Sequence, residues 1–239
     1  MQIEVCASTI NSVLNAKLAN AHRVELCTEL GLGGLTPSFG MIKQATLLDL
    51  PIHVLIRPRS GHFVYSKDEI KMMYDDIIQC KEMGCDGVVV GALNKMYDLA
   101  HEVLATMVAL ARPMQITFHR AFDLVKDPQK TLETLVDLGF DRILSSGQKN
   151  TALEGLPLLQ KILQWSDHKI EIMPGGGINF DNCLSFRDAG FEHLHLSGFK
   201  SLSLEAPPSH LTTSFSFLEQ PIGNSDLATL QKVIKKLQE

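Results

Sequence analysis

Two carboxylates and two thiols near the start of the chain repeat one spacing. Glu4 and Cys6 are separated by a single residue, and Glu25 and Cys27 show the same separation. Side chains two positions apart in a β-strand lie on the same face, so each predicted strand presents a carboxylate beside a thiol. Carboxylates act as general acids or bases, and paired thiols suit Cu(I) or Zn(II), although small core-lining cysteines are the alternative.

Other ionisable side chains follow later β-branched segments, where they could form an enzyme site. Glu4 or Glu25 would be the base, and His119 the acid or electrophile. Arg57 and Arg120 would be the anion clamps. A purely structural buried ion-pair network is the alternative, but buried charges are costly even when paired. His193, His195 and Ser197 also share an inward face. The candidate catalytic residues are Glu4, Glu25, Arg57, His119, Arg120 and Asp123.

Glycines and serines follow three of the last β-branched segments. Glycines let backbone N–H groups approach an oxyanion closely, and the loops after strands seven and eight of α/β barrels often bind phosphate. The simpler interpretation is that these glycines only turn the chain from strand to helix. The predicted anion-binding residues are Ser146, Gly147, Gly175, Gly176, Gly177, Ser197 and Gly198.

Short β-branched segments alternate with amphipathic stretches along nearly the whole chain, which predicts parallel strands joined by helices. Eight such units favour a (β/α)8 TIM barrel formed by residues 1–239 as a single domain. An open doubly wound sheet is the alternative, but no Gly-x-Gly-x-x-Gly follows the first strand. The predicted strands are 3–6, 24–27, 52–57, 87–91, 115–119, 142–145, 169–173 and 193–196.

One segment, 199–224, departs from this alternation of predicted strands and helices. It is rich in Ser, Thr and Pro, and it is predicted to be a long loop before a last helix over 226–238. Long loops without secondary structure are usually functional or disordered.

Composition excludes several functional classes. The 239 residues include 22 basic and 27 acidic side chains, so no bulk attraction for nucleic acid is expected. No apolar segment reaches the ~18 residues of a membrane helix, and the first residues do not resemble a signal peptide. Five cysteines are too few for a disulfide framework, and Cys80, Cys85 and Cys183 are predicted to be packing residues. The expectation is a cytoplasmic protein without nucleic-acid or membrane partners.

Six segments of the chain form a specific set of motifs: RVELC (23–27), GGLTPS (33–38), HVLIRPR (53–59), TFHRAFD (117–123), RILSSG (142–147) and EIMPGGG (171–177). Together they strongly resemble the CutC family, called copper homeostasis proteins. The resemblance extends from the first predicted strand through Ser197-Gly198 and implies a cytoplasmic (β/α)8 barrel. It also implies a role in copper tolerance, with Cu(I) bound by two cysteines that match Cys6 and Cys27.

The expected partner is therefore a copper ion, and the alternative is an enzyme of unknown reaction acting on a small anionic metabolite, including a phosphorylated one. A homo-oligomer is left open.

Overall fold

The structure, a computed structural model, describes residues 1–202 and 222–239. Eight strands form one parallel sheet: β1 (Gln2–Ala7), β2 (Arg23–Leu26), β3 (Ile52–Leu55), β4 (Gly87–Val90), β5 (Gln115–Phe118), β6 (Arg142–Ser145), β7 (Glu171–Pro174) and β8 (His193–Leu196). Their order is β7-β6-β5-β4-β3-β2-β1-β8. A parallel bridge between Gly175 and His195 joins the two end strands. The predicted TIM barrel is therefore confirmed.

Helices follow the strands on the outside of the barrel: α1 (Ile10–Leu18), α2 (Phe39–Ala45), α3 (Lys67–Glu82), α4 (His101–Ala111), α5 (Pro128–Leu138), α6 (Leu156–Ser166), α7 (Cys183–Asp188) and α8 (Leu227–Gln238). Local sequence signals determine several of their ends. The Asp127 side chain caps α5, Pro128 occupies its first turn, and Gly139 ends it in the left-handed conformation. Ser66 and Glu69 form a reciprocal capping box that begins α3.

The two faces of the barrel strands carry different kinds of side chain, apolar toward the helices and partly polar toward the inside. Ile3 and Val5 of β1 belong to the apolar layer between the strands and the helices. Burying such a side chain contributes about 1.5–3 kcal/mol, so this layer stabilises the barrel while the inner face carries polar groups. A second, smaller cluster lies inside the barrel and consists of Cys6, Cys27, Leu55 and Val89. The alternation of side chains along β1 and β2 thus has the predicted direction.

Six of the eight predicted strands differ from the structure by one or two residues at an end, and two of these differences bear on the site. β3 ends at Leu55 and β5 at Phe118, so Arg57 and His119 stand just beyond the strands. The backbone leaves the ladder there because it turns into the following loop, and that turn still directs both side chains toward the barrel mouth.

The ends of the predicted loop 199–224 are not loop. β9 (Phe199–Ser201) and β10 (Gly223–Ser225) form an antiparallel ribbon, whereas residues 203–221 of the predicted loop lie outside the described residues. Ser225 attaches the ribbon to the start of the chain, because its backbone N–H donates to Ser12 Oγ at 2.9 Å. Its hydroxyl donates to the Cys6 carbonyl at 3.3 Å. Strands of three residues with Gly and Ser lack the β-branched signal used for prediction.

Within residues 1–202 and 222–239, no helix has the length and apolar character needed to cross a membrane. All five cysteines are free and buried, including Cys80, Cys85 and Cys183, which were predicted to be packing residues.

Candidate functional site

A cavity of about 240 Å³ opens at the C-terminal ends of the strands, the end that carries active sites in TIM barrels. Eight of the predicted site residues line it: Cys6, Glu25, Arg57, His119, Arg120, Gly176, Gly177 and Ser197. The rest of the wall is mainly apolar and includes Leu30, Leu55, Phe63, Leu144, Ile178 and Leu196.

The structure places the other predicted site residues away from this wall. Glu4 is completely buried below the cavity floor, because it precedes Cys6 by one pleat of β1. Cys27 is also fully buried, although its thiol contacts that of Cys6. The remaining residues outside the wall are Asp123, Ser146, Gly147, Gly175 and Gly198. Of the candidate catalytic residues, Glu4 and Asp123 therefore do not line the cavity.

The two thiols are in contact. Cys6 Sγ lies 3.6 Å from Cys27 Sγ and donates a hydrogen bond of 3.1 Å to Glu25 Oε2. The register pairs Cys6 with Glu25 across the two strands, so Cys27 stands one pleat nearer the mouth. The bond to Cys27, burial and the Glu25 charge raise the pKa of Cys6 well above its ordinary value. Cys6 is therefore a neutral thiol at neutral pH.

A buried ion-pair network supports this floor. Arg23 Nε donates to Glu4 Oε2 at 2.5 Å, and His195 Nδ1 lies 2.8 Å from Glu4 Oε1. Burial would raise the pKa of Glu4, but Arg23 and His195 together hold it well below its usual range. Glu4 is therefore an ionised anchor and not a proton acceptor open to the cavity.

His195 connects Glu4 with Glu25 and was absent from the predicted site. Its Nε2 lies 3.6 Å from Glu25 Oε2. Burial would lower the pKa of His195, but the two carboxylates raise it. Burial raises the pKa of Glu25. The alternation His-Leu-His-Leu along β8 had directed His195 inward, but its position between the two carboxylates is what adds it to the site.

Cys6, Glu25 and His195 each offer one donor atom, and these atoms lie within 4.8 Å of one another. In the part of the chain that the structure describes, no other group of three potential metal ligands meets that distance. Thiolate and imidazole are ligands for Cu and Zn, so the floor of the cavity has the chemistry of a soft-metal site.

The Arg57 guanidinium is largely occupied by the protein itself. Nη1 donates to the carbonyl oxygens of Leu32 and Gly34, and Nη2 donates to that of Gly61 at 2.9 Å. The group also lies 5.2 Å from the centroid of the Phe63 ring. Arg57 therefore holds two mouth loops together, which leaves less capacity for the predicted role as an anion clamp.

The predicted anion site after β6 is filled by a carboxylate of the chain. Asp123 Oδ1 accepts hydrogen bonds from Ser145 Oγ and from the backbone N–H groups of Ser146 and Gln148. Its Oδ2 accepts from Arg120 Nε at 2.8 Å. The Gly147 N–H is also used, because it donates to Ser145 Oγ. Ser146 and Gly147, which were predicted to bind an external anion, thus have partners within the protein, because loop geometry brings Asp123 there.

We expect Asp123→Ala to lower the free energy of unfolding by roughly 2–4 kcal/mol, because an unsatisfied buried polar group costs about 1–3 kcal/mol. At least two backbone donors, those of Ser146 and Gln148, would lose their acceptor. Urea denaturation would measure the change. Asp127→Ala, which removes only a helix cap worth about 1 kcal/mol, is the control. A loss no larger than that of the control would contradict the interpretation.

The glycines after β7 and β8 divide into two groups. A Cβ on Gly175 would lie 2.5 Å from Leu144 Cδ1, and one on Gly198 would lie 2.7 Å from Leu230 Cδ2, so both glycines are closely packed against leucine side chains. Gly176 and Gly177 line the cavity with φ angles of 114° and 75°. Neither backbone N–H donates to another described residue. Only these two glycines, with Ser197, remain at the cavity as anion-binding candidates.

His119 presents a hydrogen-bond donor. Its Nδ1 accepts a 3.1 Å bond from the Ala121 N–H, which assigns the proton of a neutral ring to Nε2. Burial, with a contribution from Arg57, lowers the pKa of His119 to about 3, so the ring is neutral. Among the described residues, the buried Nε2 has no hydrogen-bond partner.

Comparison with known proteins identifies the family. The sequence profile of the CutC family matches residues 1–200. The family protein CutC of Pasteurella multocida (strain Pm70) is 43% identical over 238 residues, which cover 98% of this chain and 97% of that protein. The Homo sapiens "Copper homeostasis protein cutC homolog" is 45% identical over 183 residues, which cover 75% of this chain and 66% of the human protein. A crystal structure of CutC from Streptococcus agalactiae matches with a TM-score of 0.79 and 32% identity, covering 82% of this chain and 98% of that one. Because the profile, the relatives and the barrel agree, this chain belongs to the CutC family.

Proposed function

We propose that the chain binds one Cu(I) ion through Cys6 and Cys27 and takes part in copper homeostasis in the cytoplasm. The observation that carries the proposal is the 3.6 Å separation of the two sulfur atoms at the floor of the mouth cavity. Soft thiolate ligands select Cu(I). The name of the human relative, which refers to copper homeostasis, supports the same conclusion.

The sulfur geometry favours a third ligand. With metal–sulfur bonds of about 2.3 Å, as for zinc, sulfurs at this separation subtend roughly 100° at the ion. A linear two-coordinate ion would require the distance between the two sulfur atoms to increase by about 1 Å. His195 is the additional donor closest to Cys6, because Glu4 holds its Nδ1 and leaves Nε2 on the side of Glu25 and Cys6. Cys27 does not belong to that cluster, so a site formed by Cys6, Cys27 and His195 would require a side chain to move when the ion binds. A carboxylate behind a ligating histidine is a common supporting arrangement.

A Cu(I) competition titration under reducing conditions tests the proposal. We expect about one ion per chain for the wild type, and binding at least a hundredfold weaker for Cys6→Ser/Cys27→Ser, because soft ligands are lost. Cys80→Ser/Cys85→Ser is the matched control, since it removes two buried thiols away from the cavity. Equal binding by the wild type and the Cys6/Cys27 variant would refute the proposed site.

A second candidate function is an enzyme acting on a small anionic metabolite. The observation that favours it is the size of the cavity, about 240 Å³, which exceeds what a single ion needs. In that function Glu25 would be the base, His119 the electrophile, and the N–H groups of Gly176 and Gly177 the anion-binding groups. Arg57 and Arg120 would contribute mainly by fixing the surrounding loops, because the protein occupies much of their donor capacity.

A further inference from the structure

We propose that His119 is a ligand-binding residue, and that its Nε2–H donates to the keto oxygen of a small 2-oxo acid in the mouth cavity. The carboxylate of the same ligand would accept from the backbone N–H groups of Gly176 and Gly177. This inference deepens the second candidate function, on which it rests, and it does not require copper.

The His119 ring is fixed by its surroundings. The Ala121 N–H holds Nδ1, and a Cβ at position 91 would lie only 2.3 Å from His119 Cε1, so the ring fills space that Gly91 leaves open. The Phe63 ring lies against it, with a centroid separation of 4.6 Å. Nδ1 and Cε1 are engaged by Ala121 and Gly91, so Nε2 is the polar atom of the ring that is left for a ligand. His119 lines the cavity.

The donor on that edge lacks an acceptor. Nε2 is buried without a hydrogen-bond partner in the described part of the chain. A buried donor left unsatisfied costs about 1–3 kcal/mol, so native structures usually supply an oxygen or an ordered water. A ligand oxygen in the cavity would satisfy the donor. Because the ring is neutral, Nε2 offers a single directed N–H donor and the ring carries no positive charge.

Several features favour a keto group over a phosphate. A neutral imidazole donor polarises a carbonyl without adding a positive charge, and it offers a dianion little electrostatic attraction. Arg57 and Arg120, the two guanidinium groups at the cavity, already donate to acceptors of the protein. Leu55, Leu144 and Ile178 make much of the remaining wall apolar, which suits a short carbon skeleton. The Gly176 and Gly177 N–H groups are uncharged donors that match a carboxylate.

The test compares three pairs of ligands that differ only in the keto group: pyruvate with propionate, 2-oxobutyrate with butyrate, and 2-oxoglutarate with glutarate. Inorganic phosphate is the remaining probe. Binding to the copper-free wild type is followed by NMR titration and by long-range ¹H–¹⁵N spectra of the histidine rings. We expect at least one oxo acid to bind about tenfold more tightly than its partner and than phosphate, and to shift the His119 Nε2 resonance.

Two variants examine the donor itself. His119→Leu should lose the preference for the oxo acid, whereas His119→Gln, which retains an N–H donor, should keep part of it. His193→Gln is the matched control, because His193 is another neutral buried histidine and lies at a different cavity. Because binding is measured on the copper-free wild type, the result is independent of the copper proposal.

Three results would overturn the inference. They are an unshifted His119 Nε2 resonance on saturation of the wild type, an equal preference in His119→Leu, and no preference for any oxo acid over its partner. The wild-type spectra decide the matter even if a variant fails to fold. Tight binding of a probe without any effect on His119 would contradict this inference but not the enzyme proposal. If no probe binds, both the inference and the enzyme proposal are contradicted.

Discussion

Replacing Arg23 with methionine should lower the free energy of unfolding by about 3–5 kcal/mol, the cost of breaking a buried ion pair by removing one partner. Arg23 and Glu4 are almost completely buried, and Arg23 Nε lies 2.5 Å from Glu4 Oε2. Methionine would fill much of the space but would leave the carboxylate with only His195 as a partner. Arg112→Met is the control, because the half-exposed pair of Arg112 and Asp141 should contribute about 0–1 kcal/mol.

The pH dependence of this effect follows from the direction of the Glu4 shift. Because the pKa of Glu4 is lowered in the folded protein, the stabilisation is present above the unfolded value near 4.5 and is lost as pH falls through the folded value. Urea denaturation between about pH 2 and pH 8 should therefore show a nearly constant difference between the wild type and Arg23→Met at neutral pH, and a difference that shrinks as pH falls below the unfolded value. Arg23→Met/Glu4→Gln should recover part of the loss. Similar losses for Arg23→Met and Arg112→Met would contradict this account.

Cu(I) affinity should increase by at least about tenfold per pH unit between pH 6 and pH 8, because a thiol must lose its proton to ligate the ion. Cys27, burial and Glu25 raise the pKa of Cys6 well above its ordinary value, so Cys6 stays protonated throughout this range. Each ion bound then releases at least the Cys6 proton. Competition titrations at fixed pH values, corrected for protonation of the competing chelator, would measure the slope.

Changing Glu25 to glutamine gives a sharper version of this experiment. The substitution removes one cause of the raised Cys6 pKa while keeping a hydrogen-bond acceptor near the thiol. We expect Glu25→Gln to bind Cu(I) more tightly than the wild type at pH 6, because a lower pKa of Cys6 makes its thiolate easier to form. An affinity independent of pH in the wild type would mean that Cys6 does not ligate the ion.

Strand periodicity predicted the floor of the site well. Since successive side chains of a strand alternate between faces, the spacing of Glu4 and Cys6 was sufficient to direct both inward. The same alternation in β2 brought Glu25 and Cys27 to the same wall. The contact between the thiols depends on the register between neighbouring strands, which a single sequence does not specify.

The loops were predicted less well, because their side chains follow no period. Arg57 was expected to bind an anion, yet the carbonyl oxygens of Leu32 and Gly34 occupy one end of its guanidinium. Asp123 was expected to take part in chemistry, yet it serves as the internal anion of the loop after β6. Both outcomes depend on where the backbone polar groups of a loop point, and sequence spacing carries no information about that.

The attachment of the β9–β10 ribbon to the first helix has a consequence for how the chain folds. The Ser225 N–H and Ser12 Oγ are separated by 213 residues in sequence, and β1 also depends on β8 as a neighbour. Contacts of such sequence separation close large loops of chain and slow folding. During synthesis the first strand would therefore emerge long before either of these partners, with its edge and apolar side chains uncovered. We therefore expect the segment that contains β1 to remain a target for chaperones until β8 and Ser225 have been synthesised.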